Sequence, residues 1–491
     1  MSIESVSLAD DVFKSSFLEG KLSIDCVEIK LTQKGSPDPR VYSSAGFIRV
    51  DPEFGAEARL VFKRDPSNPY DPFASLMEMS SMRSGELYSE SHYYRLEATD
   101  VVGNVWINPA VMPKFEARAS AEILTFTCDH IETQISTDTK ADFVHFVFPE
   151  DLKFPLNKST NQTELVRGQE RLSIKRTHSS GTVSGIQVQY HKCLIDTAGD
   201  SFELVALAKD NGQVPERFDE RLLEAIRFCS ATRALPVMSE VSQAGQRIVR
   251  LAKAAPLNNG LIPPPLSDLG ASQDFYRLMG CYFDYACQNA KGNGGAQLST
   301  KLEGLFTLKG VWLETIALLL CVATEGILDD PLFKPLGKPN ATLMGLIKEL
   351  FDWVKKAPVE QGLQNRALSS MGSMKSNRAV DKMYALVTAG ALDEADVASW
   401  KFLRNPSAHG GLEIDEDKFQ ELLDQVYCLV TFIYKLTFLK IGYVGKFSDY
   451  SRRGWPSRDY DAPTLLKALG GETPTESTPE ANFEVSASQP L

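Results

Sequence analysis

Near Pro215 the hydrophobic period of the chain changes from two residues to about 3.6, so one chain must build two kinds of core. Before that point, KLSIDCVEIKLT, AGFIRVD, ARLVFKR, YYRLEAT, NVWINP, AEILTFTCDHIE, DFVHFVFP, RLSIKR, GIQVQYHKCLI and FELVALA are short and rich in β-branched and aromatic residues. Several alternate apolar with polar residues, and the turn clusters KGSPDP, DPSNPYDP and THSSGT separate them. An alternating strand has one apolar face that needs cover. The rhythm is that of a β-sandwich or barrel, and a β-sandwich-like domain is expected over residues 1–210.

After Pro215, PERFDERLLEAIRFCSATRAL carries Phe218, Leu222, Ile226 and Cys229 at helical spacing. With the proline-rich LIPPPLSD and the helical DFYRLMGCYFDYACQNA, it reads as a helical connector over 211–300. KGNGGAQ at 291–297 marks a boundary. It is no phosphate loop, because GNGGAQLSTK departs from GxxxxGK[ST] and no apolar strand precedes it. Residues 301–455 predict an all-α bundle of four long segments, roughly 302–328, 340–357, 376–404 and 415–441. DEADVASWKFLRN opens with Asp393, an N-cap or helix restart, and is expected to stop before Pro406, while Asp415 is placed to cap the last helix. After Trp455 the chain turns to Pro, Thr, Ser and Glu, so 456–491 is expected to be a mostly disordered tail. The fold class is therefore α+β and multidomain.

At 491 residues the chain exceeds what one core supports. Its net charge of −12 argues against broad binding to duplex DNA or an anionic membrane. The acidity is uneven, because 301–460 holds 20 acidic and 20 basic side chains and leaves room for a local positive site. Eight scattered cysteines without a CxxC pair read as reduced thiols of a cytoplasmic protein. MSIESVSLADDVF lacks a signal-peptide pattern, and the longest apolar run, IALLLCVAT, is too short to span a bilayer. His92, His130, His145, His178 and His191 lie in the β half without metal-ligand spacing, so neither a metal nor another cofactor is expected.

His409 stands apart as the only histidine after residue 191, within WKFLRNPSAHGG at 400–411. On a continuous helix Arg404 and His409 would lie about 140° apart and share no face. A break at Pro406 would let a loop fold His409 back beside Arg404. Together these residue types suit RNA cleavage without metal. The 2′-hydroxyl must lose a proton as it attacks the adjacent phosphorus, and an imidazole titrating near neutrality takes it. A guanidinium offers planar donors to the phosphate oxygens, and the Asn405 amide can orient the histidine or hold a phosphate.

FLRNPSAHGG, lying after three helices and before the fourth, resembles the Apea-like branch of the HEPN superfamily. Ribonucleases of that superfamily carry an R-polar-xxx-H motif before the last helix of an antiparallel bundle. LLEAIRFCSATRAL resembles a helix between a large β-rich region and the bundle of that branch, which is linked to bacterial antiphage defence. The resemblance implies a metal-independent endoribonuclease with Arg404, Asn405 and His409 as catalytic residues, acting in abortive infection on single-stranded or loop RNA. It also implies a homodimer or higher homo-oligomer, with two motifs facing across an interface. The β-rich domain becomes a sensing or regulatory module for a phage-derived or host trigger. Glu325 is either the acidic residue some members keep at the end of the first bundle helix or a helix-end charge. The alternative is a non-catalytic, ligand-binding β-sandwich protein with a helical dimerisation module, in which Arg404 pairs with the acidic 413–417 cluster.

Overall fold

A computed structural model of the chain describes residues 11–470, apart from 64–88, 118–120, 137–141, 150–151, 153, 156–159, 168–169, 196–198, 209–213, 244, 256–260, 268–271, 291–293, 308–309, 339–340, 373, 375–376 and 410–417. The chain divides into two units: Met1–Asp219 with Ala234–Leu257, and Glu220–Arg233 with Asn258–Leu491.

The first unit opens with helix α1 (Asp11–Leu18) and the strands β1 (Leu22–Gln33), β2 (Val41–Asp51), β3 (Gly55–Lys63), β4 (Tyr94–Asp100) and β5 (Val105–Val111). Strands β6 (Lys114–Ala117), β7 (Ala121–Cys128), β8 (His130–Ser136), β9 (Phe143–Phe148) and β10 (Thr160–Arg167) follow. The last strands are β11 (Glu170–Val183), β12 (Ile186–Ile195), β13 (Gly199–Ala208), β14 (Met238–Gln243) and β15 (Gln246–Ala252). Among the described residues they form one 15-stranded sheet in the order β10-β11-β12-β13-β9-β14-β15-β8-β5-β4-β1-β2-β3-β7-β6. The sheet folds back on itself, bringing β3 against β8 and β15, and β7 against β5. Leu22, Ile24, Ile48, Leu60, Leu96, Phe126, Ile131 and Leu251 share the enclosed core.

The first strand explains how alternation survives an irregularity. Leu22, Ile24 and Cys26 point inward, then the register slips and Ile29 and Leu31 take over, leaving Val27 59% exposed. One inserted residue shifts the phase of a period-two pattern, as a β-bulge does. FVHFVF of β9 is buried at every position between β13 and β14. Its one polar member, His145, meets Glu203 at 3.0 Å, and Glu203 also takes Lys14 at 2.9 Å.

The stretch 211–300, expected to be a helical connector, is divided instead. MSEVSQAGQRIVRLA at 238–252 is the hairpin β14–β15, with Gly245 at φ +78° in its turn, and it belongs to the first unit's sheet. Its alternating Val241, Val249 and Leu251 pattern is a strand signal enclosed by helical sequence.

The second unit holds α2 (Phe218–Ser230), α3 (Ser272–Asn289), α4 (Gln297–Glu303), α5 (Leu313–Leu328), α6 (Ala341–Lys356), α7 (Gln361–Gly372) and α8 (Ala379–Thr388). Helices α9 (Glu394–His409), α10 (Phe419–Ile441) and the short α11 (Ala462–Ala468) complete it, with strands β16 (Val444–Ser448) and β17 (Ser457–Asp461). Helices α5, α9 and α10 pack on one another, and α3 packs on α10. By length and hydropathy α10 could cross a bilayer, but 78% of its most apolar window is buried in the fold, as in a core helix.

Four expectations change here. The first predicted helix is split into α4 and α5. The third is split into α8 and α9, because Gly390 takes φ +77° and the Gly390 and Ala391 amides cap the Val387 and Leu386 carbonyls. Helix α10 starts at Phe419 with Lys418 at its N-cap, and Asp415 lies outside the described residues. The tail expected from 456 is ordered through 470. Tyr460 donates to the Lys435 carbonyl at 3.0 Å, and Asp461 caps α11 by accepting from the Thr464 amide and hydroxyl. DAPT is an N-cap with proline in the first turn, a local signal submerged in a polar composition. The proline run LIPPPLSD is tied down too: the Pro263 and Pro264 carbonyls accept from the Tyr434 and Tyr450 hydroxyls, each at 2.5 Å.

Candidate active site

Helix α9 carries the motif, and its first turn fixes it in place. Asp393 stands just before the helix and its amide donates to Asp396 Oδ2 at 2.8 Å, one half of a capping box, while its own carboxylate turns to Lys435 and caps no amide among the described residues. Asp396 is 1% exposed and also accepts from Lys435 Nζ of α10 at 2.7 Å, while Asp393 takes the same ammonium at 2.9 Å. Val397 and Leu403 are buried on the inner face. The motif thus stands on a helix pinned at its start by charge and along its length by packing.

The expected break at Pro406 does not occur: α9 runs on to His409. Proline removes the hydrogen bond to the Phe402 carbonyl and crowds it. That cost falls on one carbonyl, borne by a residue 42% exposed to solvent. Only one turn follows the proline, and the preceding turns are anchored, so the helix persists. On this continuous helix positions 404 and 409 lie about 140° apart, and the loop that was to fold His409 beside Arg404 is absent. Positions 405 and 409, four apart, share a face. The side chains of Asn405 and His409 lie outside the described residues.

Arg404 does not wait for the 413–417 cluster, which is likewise outside the described residues. Its Nε donates to Glu325 Oε1 at 2.6 Å, 79 positions earlier in sequence and one turn from the end of α5. Both side chains are about a third exposed, 35% and 34%. A pair so hydrated contributes at most about 1 kcal/mol. What it does achieve is aim, because bonding through Nε leaves both Nη groups available to an oxyanion. Glu325 is the one residue the sequence left open that the structure brings to the motif.

The end of α5 is electrostatically prepared. Carbonyls of a last helical turn carry partial negative charge, which disfavours a carboxylate there. Lys382 Nζ donates to the Leu328 carbonyl at 2.8 Å, Lys301 donates to the Gly326 carbonyl, and Lys440 meets Asp330 at 2.5 Å. Lys382 and Lys301 offset carbonyls near Glu325, and Lys440 offsets the Asp330 carboxylate. Cys321, one turn earlier, is buried, and its thiol is pushed up to about 12 by burial and then by the Glu325 charge. It stays protonated and is no nucleophile. Sequence reasoning missed Asp396 and Lys435. The Asp-x-x-Asp spacing at 393–396 is the signal that could have found the first; nothing local marks the second.

No protein-family model matches the chain, and no curated protein or solved structure is significantly similar to it.

Proposed function

We propose that the protein is a metal-independent endoribonuclease of the HEPN type, a cytoplasmic antiphage effector whose β-sheet unit controls the helical unit in response to a phage-derived or host trigger. The observation that carries this reading is the Arg404–Glu325 pair at the motif helix, a third-exposed guanidinium held through Nε whose Nη groups bond no other described residue. Arg404 clamps the scissile phosphate, Asn405 orients, and His409 takes the 2′-hydroxyl proton. The 2′-oxygen bonds to phosphorus, the bond to the 5′-oxygen breaks, and that oxygen must gain a proton. The products are a 2′,3′-cyclic phosphate and a 5′-hydroxyl. Purified full-length protein is expected to cleave RNA undiminished in EDTA and to leave those ends. Cleavage that stops in chelator and returns with Mg²⁺ or Mn²⁺ would assign the chemistry to another site.

The continuous helix favours a composite site. One α9 holds positions 404 and 409 on different sides, and the helical unit contains no second histidine to protonate the leaving oxygen. A two-fold mate supplies both missing directions at once. Mixing wild-type with His409→Ala protomers is therefore expected to lower activity more steeply than dilution alone. A strictly proportional fall would point to an active site complete within one chain.

A further inference from the structure

We infer that the outer face of the α6–α7 hairpin is a docking surface for a second copy of this chain. Helix α6 packs on α7 and on no other described element to a comparable extent. It buries only Ile347 and Val354, seven apart on one face. Beside that face Leu346, Leu350 and Trp353 recur at spacings of four and three, and are 57%, 43% and 68% exposed. The hairpin turn and the start of α7 add Val359 at 45% and Leu363 at 57%. Gln364 ties the turn down by donating from Nε2 to the Val354 and Lys355 carbonyls at 3.0 and 2.8 Å, so the patch is held on an ordered element.

Area identifies what covers it. The five side chains expose on the order of 600 Å² per copy, at the upper end of the largest apolar patch a monomer ordinarily leaves open. Pairing two copies would remove about 1,200 Å² in total, the lower bound of standard specific interfaces. A 3–4 spaced stripe is the seam that a second helix fits, and a two-fold axis sets the same stripe against itself.

Charge then selects the direction. Residues 341–347 carry no charge, whereas Lys355 and Lys356 close the helix. Antiparallel pairing lays each lysine pair along the uncharged half of its mate; parallel pairing would set lysine against lysine. The self-association is thus antiparallel, and it stands apart from the ribonuclease reading.

Sedimentation velocity of the full chain without RNA tests it. Wild type is expected at about twice 54.3 kDa and to dissociate on dilution. Leu350→Glu with Trp353→Glu should weaken the dimer at least about 100-fold with an unchanged melt. Trp353→Ala, the milder variant, should weaken it measurably and guards against misfolding of the double variant. A wild type that stays at one chain mass overturns the inference, as does a folded double variant that remains dimeric. A monomer that instead floats with vesicles containing phosphatidylserine, and loses this in the double variant, overturns it in favour of a membrane surface. A wild type that stays monomeric even with RNA removes the composite site as well, whereas a dimer retained by the double variant overturns only the surface inferred here and leaves the composite site standing.

Discussion

Replacing His409 with alanine is expected to abolish RNA cleavage while leaving the protein folded. Removing a general base costs about 10²–10⁴-fold in rate, and removing a charged donor to the developing oxyanion costs about 10²–10³-fold, so Arg404→Ala should fall nearly as far. Neither change should disturb stability much. Arg404 contributes only its third-exposed pair with Glu325, worth at most about 1 kcal/mol, and His409 ends a helix one turn beyond a proline. Arg404→Lys is the sharper probe: it retains the charge but loses the planar fork that lets Nε bond Glu325 while Nη meets phosphate. It too should be inactive, whereas Glu325→Gln, which keeps an acceptor for Nε, should lose only about tenfold. These are read by cleavage of a defined RNA with purified variants and by thermal melts. Wild-type rates in His409→Ala or Arg404→Ala would remove those residues from the chemistry.

The change of hydrophobic period separates the sheet core from the helical core except for the 238–252 hairpin, because period is local and each half repeats it many times. Strand β1 and helix α10 follow directly from KLSIDCVEIKLT and from the apolar 419–441 run. Boundaries were less legible where a local rule met a stronger tertiary one. Pro406 should end a helix, and on propensity alone it would. Burial of Leu403 and the pinning of Asp396 outweigh one lost hydrogen bond. The reverse happened at Gly390, where a local left-handed cap cut a helix that apolar spacing had carried through. The hairpin at 238–252 was hidden by its place, since its strand partners, β8 and β9, lie about 100 residues earlier. At the motif, residue types were legible and geometry was not. Glu325 meets Arg404 only because α5 and α9 pack together, and no spacing within either segment encodes that.

Asp396→Ala is expected to cost the helical unit about 3–5 kcal/mol, the range for removing one partner of a buried ion pair. Asp396 is 1% exposed and Lys435 only 4%, so the truncation strands an ammonium inside the bundle and removes the cap from the Asp393 amide. Asp393, 48% exposed in its side chain, replaces only part of the lost charge. If the penalty arises from the stranded charge, Asp396→Leu with Lys435→Met should be less destabilised than Asp396→Ala, although it removes more of the native network. The pair also sets an alkaline limit. Burial pulls the Lys435 ammonium down, but Asp396 and Asp393 outweigh it and hold its pKa above the ordinary 10.5. A folded value above the unfolded one means the contribution is full below about pH 10.5 and is lost as pH rises through the folded value. Burial pushes the Asp396 carboxyl upward as well, so acid does not loosen the helix through this group: its contribution to stability rises as pH falls through the folded value. Urea unfolding of the full chain, followed by tryptophan fluorescence at neutral and alkaline pH, measures both effects. A loss under about 1 kcal/mol for Asp396→Ala, or equal losses for the single and double variants, would show that α9 is not held by this charge. The aim of Arg404 would then rest on Leu403 and Val397 packing alone.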